Sequence, residues 1–415
     1  MPGSGNLPRD AAPLALDVPA RLAAIDQKKL RAYRLERLRA ELRRRDYMGC
    51  LLGDPINIRY ATGSRNLGIW TMHAPSRWAF VPTEGPVILF EFTSAKHVND
   101  GIETIAEIRP CTPWIYFLAG PRCEEKAELW AAEIADLVMH HGGNNRRLAI
   151  DRLEPMGAQR LAKLGIELHD AQAAIEDARL VKSAEEIAAL RLSMAVCDVA
   201  IHRMRAALRP GITENQLWAV LHEVNIAHDG EWIESRLLTS GPRTNPWFQE
   251  SGNRVIAAGD LVACDTDMVG PLGYLADISR SWVCPGKKPS DEQRRLYAIA
   301  QEQVEFNMGI IKPGLGFREF AEKCWPVPEE FLPNRYMMMV HGVGLVDEYP
   351  SIAYARDFKD WGYDGVFAEN MVVSVESYIG EVGGQEGVKL EQEVLVTATG
   401  VEPLSKAPFT DALVV

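Results

Sequence analysis

The chain has 415 residues, 47% apolar and 25% charged, which is enough for two folded domains. A formal net charge of −12 argues against nucleic acid and anionic membranes as partners, since both are bound chiefly through clustered Lys and Arg. No apolar stretch approaches the length of a membrane span, and the seven cysteines lack Cys-x-x-Cys spacing, so reduced thiols fit better than a disulfide framework.

Residues 1–24 open with Met-Pro-Gly-Ser-Gly-Asn and read as a flexible segment. They lack the charged-then-apolar layout of a secretory signal, so the expected location is the cytoplasm. Residues 28–45 set Leu30, Tyr33, Leu35, Leu38 and Leu42 at helical spacing, which predicts an amphipathic helix with its charges solvated. Strands are predicted at 47–52, 78–81, 87–92 and 147–151, and helices at 123–140 and 155–164. This alternation predicts a small α/β domain over 25–178.

Near Asp177 the pattern changes. Residues 179–183 lead into a predicted long helix over 184–208, with Ser183 as N-cap, Glu186 completing a capping box and Arg209-Pro210-Gly211 ending it. A second helix is predicted at 214–227, within a catalytic domain spanning 179–415.

The chemistry is concentrated in residues 260–281. Leu261 to Cys264 reads as an apolar strand, Gly270-Pro271 as a turn and Tyr274 to Trp282 as the antiparallel return, which brings Asp265 and Asp267 beside Asp277. Two residues apart on a strand, Asp265 and Asp267 would share a face, and like charges so close are unfavourable without a cation. An isolated Asp-x-Asp reads better as a solvated turn. The rest of the C-terminal half raises the metal reading, because Glu376 and Glu391 interrupt β-branched runs and His341 opens His-Gly-Val-Gly. A carboxylate pointing inward from a strand needs a partner. One imidazole with five carboxylates could hold two divalent ions, with Fe, Mn, Co and Zn all compatible.

The order Asp, Asp, His, Glu, Glu, with Gly-Tyr-x-x-Asp-Ile-Ser-Arg and a final Leu-Glu-Gln, resembles the pita-bread family of creatinases, prolidases and Xaa-Pro aminopeptidases. The resemblance implies an α/β fold, with a small N-terminal creatinase-like domain and a C-terminal pita-bread catalytic domain. The Asn-Ile-Arg-Tyr-x-Thr-Gly run at 57–63 resembles the N-terminal domain of the creatinase-like branch, which pairs subunits, so a homodimer is implied.

Departures from the family pattern are informative. Its peptidases use two further histidines, yet of nine histidines here only His341 lies beyond His228. One of the missing positions falls within 239–248, and Asp347 takes the other. An ordinary Asp cannot donate a proton near neutral pH as imidazole can, so a peptidase would lack much of its apparatus. The spacing to Asp277 is ten residues from Asp267 and twelve from Asp265, where eleven is usual, and Lys389 stands where the family has Arg.

Removal of a carbon-bound proton would keep the metals and use the aspartate. Crowded by other carboxylates, Asp347 should be a stronger base than a free Asp, and loss of a β leaving group would complete an elimination. The pattern is similar to a lyase branch of the family that splits dimethylsulfoniopropionate into dimethyl sulfide and acrylate. That resemblance implies iron, Asp265, Asp267, Asp277, His341, Glu376 and Glu391 as ligands, and Asp347 as base. It also implies Tyr336 and Trp361 as aromatic neighbours of the sulfonium, with Trp70, Trp78 or Phe80 contributed by a partner subunit. Taken singly, each of these aromatics reads better as plain core. Two other functions are weighed: a dinuclear Xaa-Pro dipeptidase or aminopeptidase without two of its histidines, and a non-enzymatic binding module, whose mark would be missing carboxylates.

Overall fold

The computed structural model describes residues 16–409 and Leu413. The described residues divide into two compact units, one of residues 26–179 and one of the described residues from 180 onward together with those before Asp26. Of the segment expected to be flexible, residues 1–15 lie outside the described residues. Val18–Ala23 is instead a short helix, because Asp17 caps it by accepting from the Ala20 N–H and Pro19 occupies its first turn.

The first unit is built on a six-stranded mixed sheet. Its strands are β1 (Gly49–Leu52), β2 (Trp78–Pro82), β3 (Ile88–Glu91), β4 (Glu107–Pro110), β5 (Arg147–Ile150) and β6 (Glu167–Asp170), in the order β4-β3-β2-β1-β5-β6. Trp78, Trp114 and Trp130 pack together in its core beside Phe80 and the helix Cys123–Gly142. Trp78 and Phe80 are 1% and 0% exposed, which corrects the expectation that a partner could borrow them. A strand buried along its whole length has no ring to lend.

The helix predicted near residue 28 runs Gln27–Arg44, but its charges are not all solvated. Arg34 turns inward to donate to the Arg59 carbonyl, and buried Glu41 pairs with Arg44 and Arg45. The 57–63 run closes a helix, Pro55–Thr62, capped by Asp54 and ended by Gly63 at φ +83°, a left-handed conformation that suits glycine. Asn57 donates to Asp151 and accepts from Arg179, while the Tyr60 hydroxyl donates to the Ala178 carbonyl. Within this unit the motif acts as a folding anchor.

The second unit begins with the helices Ala184–Ala207 and Glu214–Ala227, each with a full capping box. Its strands are β7 (Trp232–Ile233), β8 (Leu238–Ser240), β9 (Leu261–Asp265), β10 (Met268–Val269), β11 (Leu275–Ala276), β12 (Ser279–Val283), β13 (Val340–Val343), β14 (Asp347–Ile352), β15 (Val372–Ile379), β16 (Val388–Val396) and β17 (Val401–Pro403). They form three sheets, β11-β10-β7, β12-β9-β8 and β14-β13-β15-β16-β17. Strands β15 and β16 are buried along their whole length, because the helix Asp291–Ile310 packs over them and β12 lies against β16. That helix has its own sequence signal, the Ser290 and Gln293 capping box followed by inward Leu296, Ala300 and Val304. Its Gln303 accepts from the Ser377 hydroxyl.

Candidate metal centre

Antiparallel pairing sets Asp265 opposite Ser279, with Met268 and Val269 opposite Ala276 and Leu275. Between the two pairings Asp267 takes φ +35°. Asp265 and Asp267 therefore do not share a face by strand alternation, as the sequence suggested; a left-handed bend returns Asp267 toward the site. Asp265, Asp267 and Asp277 each offer an oxygen within 4.8 Å of the others. Asp267 is held from outside by the Ser235 hydroxyl, which donates to it.

The five-stranded sheet brings the remaining groups. Glu376 and Glu391 are direct cross-strand partners on β15 and β16, an unfavourable pairing unless a cation lies between them. His341 pairs with Ser374, which places the imidazole diagonal to Glu376. His341 Nε2 lies 3.6 Å from Asp277 Oδ2 and 3.4 Å from both Glu376 Oε1 and Glu391 Oε1. Residues 277–280 tie the two sheets: Arg280 Nη1 donates to the Glu391 carbonyl, the Ser279 hydroxyl to Glu391 Oε2, and the Ser374 hydroxyl to the Asp277 carbonyl.

Lys389 lies at the centre, where sequence reasoning had noted only a substitution for Arg. Its fully buried ammonium is 3.1 Å from Asp265 Oδ2, 3.3 Å from Glu391 Oε2, 2.5 Å from Glu376 Oε2 and 2.7 Å from the Ser279 hydroxyl. Burial opposes its charge, but the three carboxylates outweigh burial and raise its pKa well above the ordinary value. Burial pushes Asp265, Asp277 and Glu376 upward, with neighbouring carboxylates adding to it, and Asp267 reaches about 6. Glu391 goes the other way, because Lys389 and His341 outweigh its burial.

These residues suit divalent cations. Asp265 Oδ1, Asp277 Oδ1 and Glu391 Oε1 are buried with no hydrogen-bond partner, and a buried carboxylate oxygen without a partner is costly. Asp277, His341 and Glu391 form a second set of ligand atoms within 4.8 Å, sharing Asp277 with the first. Oxygen-rich sites with one imidazole fit Fe, Mn, Co or Zn.

The six expected ligand positions thus converge. Asp347 begins β14, where a register shift between His341 and Gly342 re-aims the strand, and its Oδ1 lies 3.4 Å from His341 Nδ1. Its side chain keeps 58% exposure, unlike the ligand carboxylates. Desolvation, then Glu391 and Glu348, raise its pKa against the pull of His341.

The aromatic positions differ among themselves. Tyr336 has Lys389 Nζ 4.5 Å from its ring centre and Phe248 stacked against it at 5.2 Å, so neighbours already occupy the ring. Trp247, 5.8 Å from the same ammonium, extends this wall. Trp361 stays 77% exposed at the end of the short helix Phe358–Trp361 and is not among the rings around Lys389. Trp70 belongs to the first unit, packed on Phe92 and Phe117. Sequence reasoning missed Ser235, Ser279, Trp247 and Phe248; their only signal is position beside the acidic hairpin or within the 239–248 segment.

A cluster of carboxylates and one imidazole on two linked antiparallel sheets, preceded in the chain by an α/β unit, is the architecture of the pita-bread fold. The model of metallopeptidase family M24 matches residues 188–398, and that of the creatinase/prolidase N-terminal domain matches 34–181. The chain belongs to this family. It is 38% identical over 399 residues to dimethylsulfoniopropionate lyase DddP of Roseovarius nubinhibens, covering 95% of this chain and 90% of the relative. The protein of the same name from Roseobacter denitrificans is 37% identical, with 95% and 89% covered. Among solved structures, an Xaa-Pro dipeptidase from Bacillus anthracis superposes with a TM-score of 0.72 at 22% identity, covering 90% of this chain and 97% of that one. At that identity the likeness speaks for the fold alone. Among the described residues no helix is long and apolar enough to cross a membrane.

Proposed function

We propose that this chain is a lyase that cleaves dimethylsulfoniopropionate into dimethyl sulfide and acrylate. One observation carries the reading: a cluster of carboxylates around His341 lies beside an exposed, up-shifted Asp347, at the position where the resembling peptidases use a histidine. The names of the two lyase relatives support it.

In this reading Asp265, Asp267, Asp277, His341, Glu376 and Glu391 hold two divalent ions, and likeness to the lyases favours iron. Bound ions supply positive charge for the substrate carboxylate and for the negative charge that develops beside it. Asp347 accepts the proton from the carbon next to the carboxylate. The electron pair of that C–H bond becomes the C–C double bond, the C–S bond breaks with its pair on sulfur, and neutral dimethyl sulfide leaves. Asp347 then returns its proton to water.

The sulfonium needs aromatic faces without a resident cation. With Lys389 over Tyr336, the ring of Tyr336 serves as a wall, and Phe248, 53% exposed, adds a face beside it. Trp361 and a partner subunit's Trp70 complete the box in this reading. Around Trp70 the first unit exposes Leu67, Ile69, Tyr116 and Phe117, an apolar surface that suits a homodimer. Seven free cysteines fit a cytoplasmic location.

The test is headspace gas chromatography of metal-analysed protein with dimethylsulfoniopropionate, with a Gly-Pro dipeptide assayed in parallel. Dimethyl sulfide with equimolar acrylate is expected. Free proline without sulfide would contradict the reading and favour the Xaa-Pro dipeptidase alternative.

A further inference from the structure

The hairpin that carries His341 and Asp347 is anchored by an ion pair outside the metal cage. Lys182 Nζ donates to Glu348 Oε2 at 2.9 Å, and both side chains are 2% exposed. The other oxygen, Glu348 Oε1, accepts the Leu345 N–H at 3.0 Å, inside the hairpin's own turn. The Lys182 N–H donates to the Asn370 carbonyl, two residues before β15 begins.

Two glycines are shaped to this anchor. A Cβ on Gly344 would lie 2.2 Å from Glu348 Oε2, and one on Gly342 only 2.4 Å from the Tyr349 carbonyl oxygen. The turn therefore wraps closely around the Glu348 carboxylate. Consecutive residues of a strand point to opposite faces, so with Glu348 fixed inward, Asp347 is directed outward beside His341. Only Val343 pairs with Asp347 across the hairpin, and the register shift lies just beyond. The ladder alone holds Asp347 weakly.

We infer that Lys182 and Glu348 form a positioning pair for Asp347, setting where the base stands without touching substrate or metal. The inference rests on the reading of Asp347 as the base. Intact, the pair satisfies two buried charges; removal of one partner strands the other. A displacement of about 1 Å in a reacting group costs roughly 100-fold in rate.

The experiment compares Lys182→Met, Lys182→Arg and the double variant Lys182→Met/Glu348→Gln as metal-loaded full-length proteins. Lys182→Met should lower kcat by about 100-fold, with KM and metal content unchanged. Lys182→Arg should restore most of that loss. The double variant should regain thermal stability, since no buried charge is left alone, while kcat stays low. Recovery of kcat together with stability, or metal loss in Lys182→Met, would overturn the proposal. Where Lys182→Met fails to fold, the double variant and Lys182→Arg decide it. Hydrogen–deuterium exchange of amides 341–348 separates this pair from the lyase reading. Faster exchange in the double variant supports the anchor even if no sulfide is released, and unchanged exchange sinks the anchor whatever the substrate.

Discussion

Asp347 is the most exposed of the clustered carboxylates, and that exposure suits the separate task proposed for it. Of the expected ligand carboxylates, Asp265, Asp277, Glu376 and Glu391 are buried and Asp267 is half-buried, whereas Asp347 keeps 58% of its side chain open. Asp347→Ala is expected to retain its metal while losing turnover by about 100-fold or more, the usual worth of a general base. Metal analysis and product assay on the same sample check this, and retained activity would remove Asp347 as the base. Asp277→Ala or His341→Ala should lose metal and activity together, and full occupancy in either would remove that residue from the ligand set. The acidic residues and His341 were legible in sequence because each breaks an apolar run. Lys389 was not: a lysine in Val-Lys-Leu-Glu reads as solvent-facing, and only burial on β16 beside Glu376 reveals a charge partner for three carboxylates. The aromatic positions were least legible, because a ring's neighbours decide its use, and Trp78 proved to be core.

At the level of elements, the hairpin from His341 to Glu348 depends on two glycines. Gly342→Ala would drive a Cβ against backbone oxygens of Tyr349 and Glu348 at 2.4 and 2.7 Å. A loss of about 1–3 kcal/mol in stability, by the general scale of overpacking, is expected, with weakened metal retention because His341 is adjacent. Thermal melting and metal analysis would reveal it, and a variant equal to wild type in both would contradict the packing described. In the first unit, burial raises the Asp151 carboxyl from its ordinary 3.8 to about 6, against hydrogen bonds from the Gly53 and Asp54 N–H groups and Asn57. The folded state then binds more protons than the unfolded state between these values, so stability falls as pH rises through that window and levels off above it. The shift corresponds to roughly 3 kcal/mol. Denaturant unfolding across pH 4–7 should show this slope in wild type and its loss in Asp151→Asn; identical slopes would contradict it. Strands and capped helices were legible from period and caps. The bend at Asp267 was not, because a left-handed Asp carries no sequence mark when Gly is absent.

For the molecule as a whole, a net charge of −12 and a cluster of acidic side chains that could hold a metal ion tie the proposed cations to the stability of the fold. Chelation should lower the melting temperature and readdition of metal restore it, since a ligand at 100 times its Kd stabilises by about 2.7 kcal/mol. An unchanged melting temperature after complete metal removal would contradict a folded-state cage. The two-domain plan was readable because predicted strands and helices alternate before Asp177 and a capped long helix follows. A homodimer was readable only as an implication of the resemblance. The central claim is that this centre eliminates rather than hydrolyses. The most direct measurement supplies dimethylsulfoniopropionate carrying two deuteriums on the carbon beside the carboxylate and weighs the product. Acrylate holding a single deuterium, released with equimolar dimethyl sulfide, is the expected result, because Asp347 removes the other. A three-carbon hydroxy acid retaining both deuteriums would mean that water displaces the sulfide, and would contradict the account.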